Sequence, residues 1–264
     1  MAQLPSLMLR LAVLMDSIVR MQSADGDQLP DITDQGFIDI CVKVHNSYRS
    51  NVDPPASDMR FMTWDEALAK SARAWARSCK FSHNPLLGTT GKLHPEFAPV
   101  GENIWVGESV SKFRVEKAIQ KWYDEVTDYE YSSRACTGKQ CGHYTQVVWA
   151  KSYKVGCAVQ VCPNGIEGFS KRKSANFVCN YGEAGNINGV HPYKRGKACS
   201  ACGGNRCQDR LCRDTKRDES ESTSSASCKE FSVAVLVTRP LSLLLIFAGV
   251  YGLQFLYPNL FAYE

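Results

Sequence analysis

Cysteine constrains this chain more than any other feature. Twelve cysteines occur in 264 residues, and eleven of them fall between Cys41 and Cys212. In an oxidising compartment that density reads as a disulfide framework; in a reducing one it would read as metal or redox sites. The N-terminus favours the first. It is apolar from Leu4 to Val19, broken by Arg10 and Asp16, and Gln22-Ser23-Ala24 offers a small-residue cleavage site. Residues 1–24 are therefore expected to be a signal peptide. Seven cysteines lie from Cys41 to Cys179, an odd number, so one is expected to be free or to pair outside that stretch. Spacing does not give the connectivity.

The apolar fraction of 44% is ample for a packed core. A net charge of +4 from 31 basic and 27 acidic residues is too mild to argue for nucleic acid. The basic run Lys171-Arg172-Lys173 reads as a solvated loop.

Helical spacing of Phe37, Ile40, Val44 and Tyr48 predicts a first helix. Thr63 followed by Glu66 has the form of a capping box, and Leu68, Ala72, Trp75 and Cys79 form one face beyond it. Val115, Ala118, Ile119 and Trp122 mark a third helix, after a Pro- and Gly-rich loop over about 84–101. From Thr145 onward the pattern turns to strand: Gln146 to Trp149, Val155 to Val161 and Asn176 to Tyr181. Helices packed over a mainly antiparallel sheet, an α+β arrangement, is the natural outcome. Trp105, Trp122 and Trp149 are expected in the core.

The end of the chain divides further. Residues 196–212 hold Cys199, Cys202, Cys207 and Cys212 around Gly203, Gly204 and Asn205. So short a unit has no core of its own and needs stapling. Cys-x2-Cys spacing also suits zinc, but an exported context favours two local disulfides. Residues 213–230 form a polar stalk. Residues 231–257 are apolar apart from Arg239 and Pro240, with 17 clean residues from Leu241 to Tyr257, against the roughly 17–25 that a spanning helix needs. Lys229 and Arg239 precede this segment and only Glu264 follows it, which opposes the positive-inside rule for an exported domain. A lipid-anchor signal with small residues over Ser222–Ser227 is the rival reading.

Four polar residues stand in contexts that suggest chemistry: His83 beyond a helix end, Glu102 after Gly101 in a loop running to Trp105, Glu125 three residues past Trp122, and His143 after Gly142. Two imidazoles and two carboxylates suffice for a divalent metal or for proton transfer. Ser82 beside His83 is a nucleophile candidate by adjacency alone.

Gly142-His143-Tyr144-Thr145-Gln146-Val147-Val148-Trp149-Ala150-Lys151-Ser152, Gly101-Glu102-Asn103-Ile104-Trp105, Trp122-Tyr123-Asp124-Glu125 and His45-Asn46 resemble the signature blocks of the family that joins cysteine-rich secretory proteins, antigen 5 and pathogenesis-related proteins (the CAP family). A further block over Phe177-Val178-Cys179-Asn180-Tyr181-Gly182 departs from the pattern at Asn176 and Glu183. The resemblance covers residues 35–195, with 196–212 like the family's hinge. It implies a three-layer α-β-α sandwich followed by a disulfide-rich hinge and a C-terminal apolar segment. It implies that His83 and His143 form a metal pair, usually for zinc, in a cleft lined by Glu102 and Glu125. The expected function is non-enzymatic binding of a protein, lipid or glycan by an extracellular or luminal domain. That domain would be held in the membrane as a single-pass protein, or alternatively lipid-anchored or secreted. A metal-dependent peptidase or esterase using Glu102 or Glu125 as base is the alternative; no HExxH helix supports it. Ion-channel regulation ranks third, because the longer cysteine-rich module that accompanies it in relatives is lacking after Cys212.

Overall fold

The computed structural model describes residues 29–218. The expected signal peptide, most of the stalk and the apolar segment 231–257 lie outside the described residues. Among those described, no helix is long and apolar enough to cross a membrane.

Helix α1 spans Gln35–Ser50, strand β1 Thr63–Trp64, α2 Glu66–Ala76, β2 Gly101–Gly107, α3 Val115–Tyr123, β3 Tyr129–Glu130, β4 Ala135–Cys136, α4 Gly142–Val147, β5 Lys154–Cys162, β6 Ser174–Gly182, β7 Arg206–Gln208 and β8 Leu211–Arg213. The central sheet runs β1-β5-β6-β2. It is antiparallel except where β1 joins β5 in parallel.

Each face of this sheet is covered, which gives the three layers. On β5, Val155, Cys157 and Val159 join Phe177 and Tyr181 of β6 beneath α1, α3 and α4. The intervening Ala158 and Val178 pack with Ala69, Ala72 and Ala76 of α2. Alternation along the strands thus sends large residues one way and small ones the other. The small face is very close: a Cβ on Gly156 would stand 2.1 Å from Ala69 N. Cys157 and Cys179 face each other across β5 and β6 and are joined as a disulfide.

The third helix and the last two central strands fall where the sequence places them, with Val115, Ala118, Ile119 and Trp122 all buried. Five expectations are corrected. The N-cap of α2 is Asp65, whose side chain accepts from Leu68 N at 2.8 Å, while Thr63 and Trp64 form β1. Gln146 and Val147 belong to α4 rather than to a strand, and Gly101–Trp105 is the start of edge strand β2 rather than a loop. Cys79 lies past the end of α2 with φ 53° and is bonded to Cys162. Trp122 and Trp149 are buried, but Trp105 is half-buried, against Phe113 at 5.6 Å.

The face of α1 also differs. Phe37 is buried, while Ile40, Val44 and Tyr48 sit at its margin, and the buried stripe continues through Cys41, His45 and Arg49. Arg49 is 1% exposed. Its Nε and Nη2 donate to Arg60 O, its Nη1 to Val147 O and Trp149 O, and its Nη2 also to Ala150 O and Ser152 O, all at 2.7–3.2 Å. Every guanidinium donor is therefore used. His45 donates from Nδ1 to Cys41 O at 2.7 Å and accepts from Tyr181 OH at 2.9 Å. Both partners are satisfied by the neutral ring, and burial lowers its pKa to about 4.

Of the cysteines, Cys41 is free and buried, while Cys136–Cys141, Cys199–Cys207 and Cys202–Cys212 complete five disulfides among the described residues. The tail cluster is thus stapled by disulfides and holds no zinc-type thiolate set. It also docks on the domain: Cys212 N donates to Met59 O, Phe61 N to Cys212 O, and Leu211 enters the main core. The two departures from the family pattern have partners. Asn176 Nδ2 donates to Ala76 O at the end of α2, and Glu183 pairs with Arg60 at 3.1 Å. The chain divides into compact units after Asp214. In the second, the single turn α5 (Thr215–Asp218) holds an Arg217–Asp218 ion pair at 2.7 Å.

Replacing Arg49 with methionine leaves five buried carbonyls without these donors and costs roughly 3–5 kcal/mol, read as a lower denaturant midpoint at unchanged slope. The His45 pKa is depressed in the fold, so the unfolded chain takes up the proton first. Stability is full above the ordinary value of 6.5 and falls as pH drops toward 4, by roughly 3 kcal/mol in all. A His45→Gln variant shows a flatter slope across that window.

Candidate functional site

Two elements bring His83 to Glu102. After α2 the chain turns at Cys79, and the bond to Cys162 ties that turn to the end of β5. His83 follows four residues on. Glu102 is the second residue of β2. His83 Nδ1 donates to Glu102 Oε1 at 2.9 Å, and Asn84 N donates to the same oxygen at 3.0 Å. The Glu102 side chain is 0% exposed, whereas that of His83 is 62% exposed. The second carboxylate oxygen, Glu102 Oε2, is buried without a hydrogen-bond partner. The hydrogen bond to Glu102, reinforced by its charge and opposed by burial, raises the His83 pKa above the usual imidazole value.

His143 and Glu125 make a second pair. Glu125 lies in the 3-10 turn Asp124–Asp128 that continues α3, and His143 is the second residue of α4. His143 Nδ1 donates to Glu125 Oε1 at 2.6 Å. Glu125 Oε2 accepts from His143 N at 3.0 Å and Tyr144 N at 3.2 Å. One carboxylate therefore orients the imidazole and also caps the first turn of α4. The Trp122 ring lies nearly parallel to His143, with centroids 6.2 Å apart.

Both histidines share one chemical design. A carboxylate on Nδ1 fixes the tautomer with its proton there and leaves the Nε2 lone pair free. The pairs are not equivalent, since His83 is open to water and His143 is mostly enclosed. They are linked through the backbone of β2: Glu102 holds His83, and its neighbour Asn103 donates from Nδ2 to His143 O at 3.1 Å. Adjacent strand residues point to opposite faces, so the pairs flank the start of the edge strand. Among the described residues, no group of three or more His, Cys, Asp or Glu side chains could hold a metal ion.

Sequence reasoning did not assign the groups that support this arrangement. Asn103 Nδ2 also lies 3.3 Å from Tyr181 OH, which donates to His45, so a buried polar chain runs from α1 to the backbone of His143. Gln146 accepts from Gly185 N and donates to Ser152 Oγ, and it closes against Gly101, where a Cβ would stand 2.3 Å from its Oε1. All four lie inside the recognised sequence blocks, but their roles depend on tertiary partners far along the chain. Ser82 gains no partner in His83, whose Nδ1 is committed to Glu102; its carbonyl instead accepts from Trp75 Nε1 at 2.8 Å.

A family model described as "CAP: Cysteine-rich secretory protein family" matches residues 42–181. The chain is 51% identical over 195 residues to GLIPR1-like protein 1 of Bos taurus, covering 73% of this chain and 77% of that protein. It is 50% identical over 212 residues to glioma pathogenesis-related protein 1 of Mus musculus, covering 80% and 78%. Among solved structures, it is similar to NaASP2 with Zn2+ (TM-score 0.53, 27% identity, 70% of this chain and 100% of that one). It is also similar to Na-ASP-1 (TM-score 0.54, 26% identity), covering 73% of this chain but spanning only 52% of the other. With its signature residues placed in a three-layer sandwich, the chain belongs to the cysteine-rich secretory protein family.

Proposed function

We propose that this protein is an exported CAP-domain protein that acts by binding and carries a divalent-metal site, for zinc, at His83 and His143. The observation that carries the metal reading is the pairing of each Nδ1 with a carboxylate. It orients two imidazoles so that Nε2 faces away from the carboxylate as a ligand, the arrangement in which carboxylates commonly support zinc-bound histidines. The donor set fits zinc chemically. With two protein ligands, the remaining coordination falls to water. That suits reversible loading rather than a closed structural site. A zinc ion there would supply positive charge and polarise a bound group. The similar NaASP2 structure is described with Zn2+. Export is supported by the disulfide content and by relatives that include cysteine-rich secretory proteins. Anchoring through residues 231–257, by a spanning helix or a lipid, completes the proposal.

Hydrolysis is the second reading, and one observation bears on which residue would serve it. Both Glu125 oxygens are occupied by His143 and backbone N–H groups, whereas Glu102 Oε2 has no partner. A general base in this cleft is therefore Glu102 rather than Glu125. Among the described residues, the hydrogen-bond partners of Glu102 are His83 and the Asn84 N–H rather than a serine, threonine or cysteine side chain, so binding is preferred. The ligand class addressed by the cleft is a protein, lipid or glycan.

Calorimetry of the full chain tests the metal site. One zinc per chain is expected for wild type and none for His83→Ala/His143→Ala at unchanged melting temperature; a wild type that ignores zinc overturns the metal reading. Protons compete at His83, whose pKa is raised. Zinc affinity therefore climbs as pH rises through and beyond 6.5, and a pH-independent affinity would argue against His83 as a ligand. Separately, in the metal-free protein, Glu102→Gln removes the main cause of the raised His83 pKa, so its NMR titration shifts to lower pH.

A further inference from the structure

The loop pair beside His83 exposes the two aromatic rings that stand out on this surface. Phe81 is 45% exposed and Phe169 is 44% exposed, and their rings meet edge to face with centroids 6.1 Å apart. Water-exposed phenylalanines are usually scattered singly; here two form one patch on a rigid support. The Cys79–Cys162 disulfide ties the bases of the two loops. Phe81 N donates to Glu167 O and Glu167 N to Cys79 O, both at 2.8 Å. Ile166 and Ser170 exchange two backbone hydrogen bonds, which closes the turn that carries Phe169. Gly168, at φ 82°, turns that chain outward.

Charge surrounds the rings. Lys80 precedes Phe81, and Lys171, Arg172 and Lys173 follow Phe169, all of them exposed. Two acids temper this: Glu167 lies 3.5 Å from Lys80, and Glu108 lies 3.0 Å from Arg172. Lys171 is exposed and stands outside both of these pairs. Phenylalanine has no polar handle, so the rings suit neither the hydroxyls of a sugar nor a hydrated anion. An apolar centre within a cationic border matches the acyl boundary of a bilayer beneath its anionic headgroups.

We infer that Phe81 and Phe169, bordered by Lys80 and the 171–173 basic run, form a membrane-docking platform that seats the domain on an anionic phospholipid surface. This is separate from metal binding at Nε2 of the histidines and does not depend on it. It is also separate from anchoring through residues 231–257, because it sets which face of the domain touches lipid. An exported domain meets such a surface wherever anionic phospholipid faces outward. His83 is two residues from Phe81, so docking brings the open histidine near the headgroups.

Trp75 is a built-in reporter, since its indole N–H donates to Ser82 O next to Phe81. The full chain is mixed with vesicles of phosphatidylcholine, with or without phosphatidylserine, whose acyl chains are brominated to quench nearby tryptophan. The expected result is quenching with phosphatidylserine that disappears in a Trp75→Phe control and in Phe81→Ser/Phe169→Ser. Lys171→Glu or raised salt weakens it by about tenfold. Both phenylalanines are half in water, so the double variant should keep its melting temperature, which is measured alongside. An anchored tail does not mimic this result, because the readout is local to the platform. Equal quenching with and without phosphatidylserine overturns the inference, as does quenching that survives the double variant. A Trp75 spectrum that changes with protein concentration in the absence of vesicles would identify a second copy as the occupant and would also overturn it.

Discussion

Five backbone carbonyls from two separate segments converge on one guanidinium. Arg49 gathers Arg60 O, which leads into β1, together with Val147 O, Trp149 O, Ala150 O and Ser152 O, which lead from α4 into β5. Such carbonyls would be costly to bury bare; Val147 is the last residue of α4, and the 148–152 stretch has neither helix nor strand to satisfy them. A flat, five-donor cation suits the task because its geometry fixes several acceptors at once. The end of α4, the start of β5 and the entry to β1 are thereby held to α1 through a single side chain. His143 sits at the other end of α4, so the His143–Glu125 pair inherits its placement from this clasp.

The polar chain Cys41–His45–Tyr181–Asn103–His143 works alongside it. Each link has one permissible direction of donation. The carbonyl of Cys41 takes the His45 proton, which leaves Nε2 to accept from Tyr181, whose oxygen in turn accepts from Asn103. A buried network with its directions settled favours one arrangement of the layers over slipped alternatives. The two carboxylate–histidine pairs extend the same logic to the surface, where Glu125 serves a helix terminus and an imidazole at once.

Much of this fold could be read from residue order. Helix α3 and strands β5 and β6 announce themselves because their buried positions are apolar and regularly spaced. Helix α1 was legible as a helix but not in its facing, because His45 and Arg49 are polar residues whose partners lie up to 136 positions away. Gln146-Val147-Val148-Trp149 has strand-like composition, yet the Arg49 clasp and the Glu125 cap hold its first half in a helix. Asp65 displaces Thr63 as the cap of α2 because β1 pairs with β5 through Thr63 and Trp64. Glu102, Glu125 and His143 were recoverable from the family blocks, and His83 from its place beyond a helix end. Their grouping into a half-exposed pair and an enclosed pair was not, since it depends on which face of β2 each neighbour takes.

The contact between Gly156 and the backbone of Ala69 makes the sandwich lopsided: one layer lies flush on the sheet, while the other stands off it on rings and branched chains. The flush side has no slack. Any bulk added at that glycine must lift α2 as a rigid bar. The far end of that bar leads through Cys79 to the loop bearing Phe81 and His83. A lesion in the middle of the sheet would thus be transmitted to the His83–Glu102 pair, whereas comparable bulk on the ring-lined face can be absorbed by side-chain rotation.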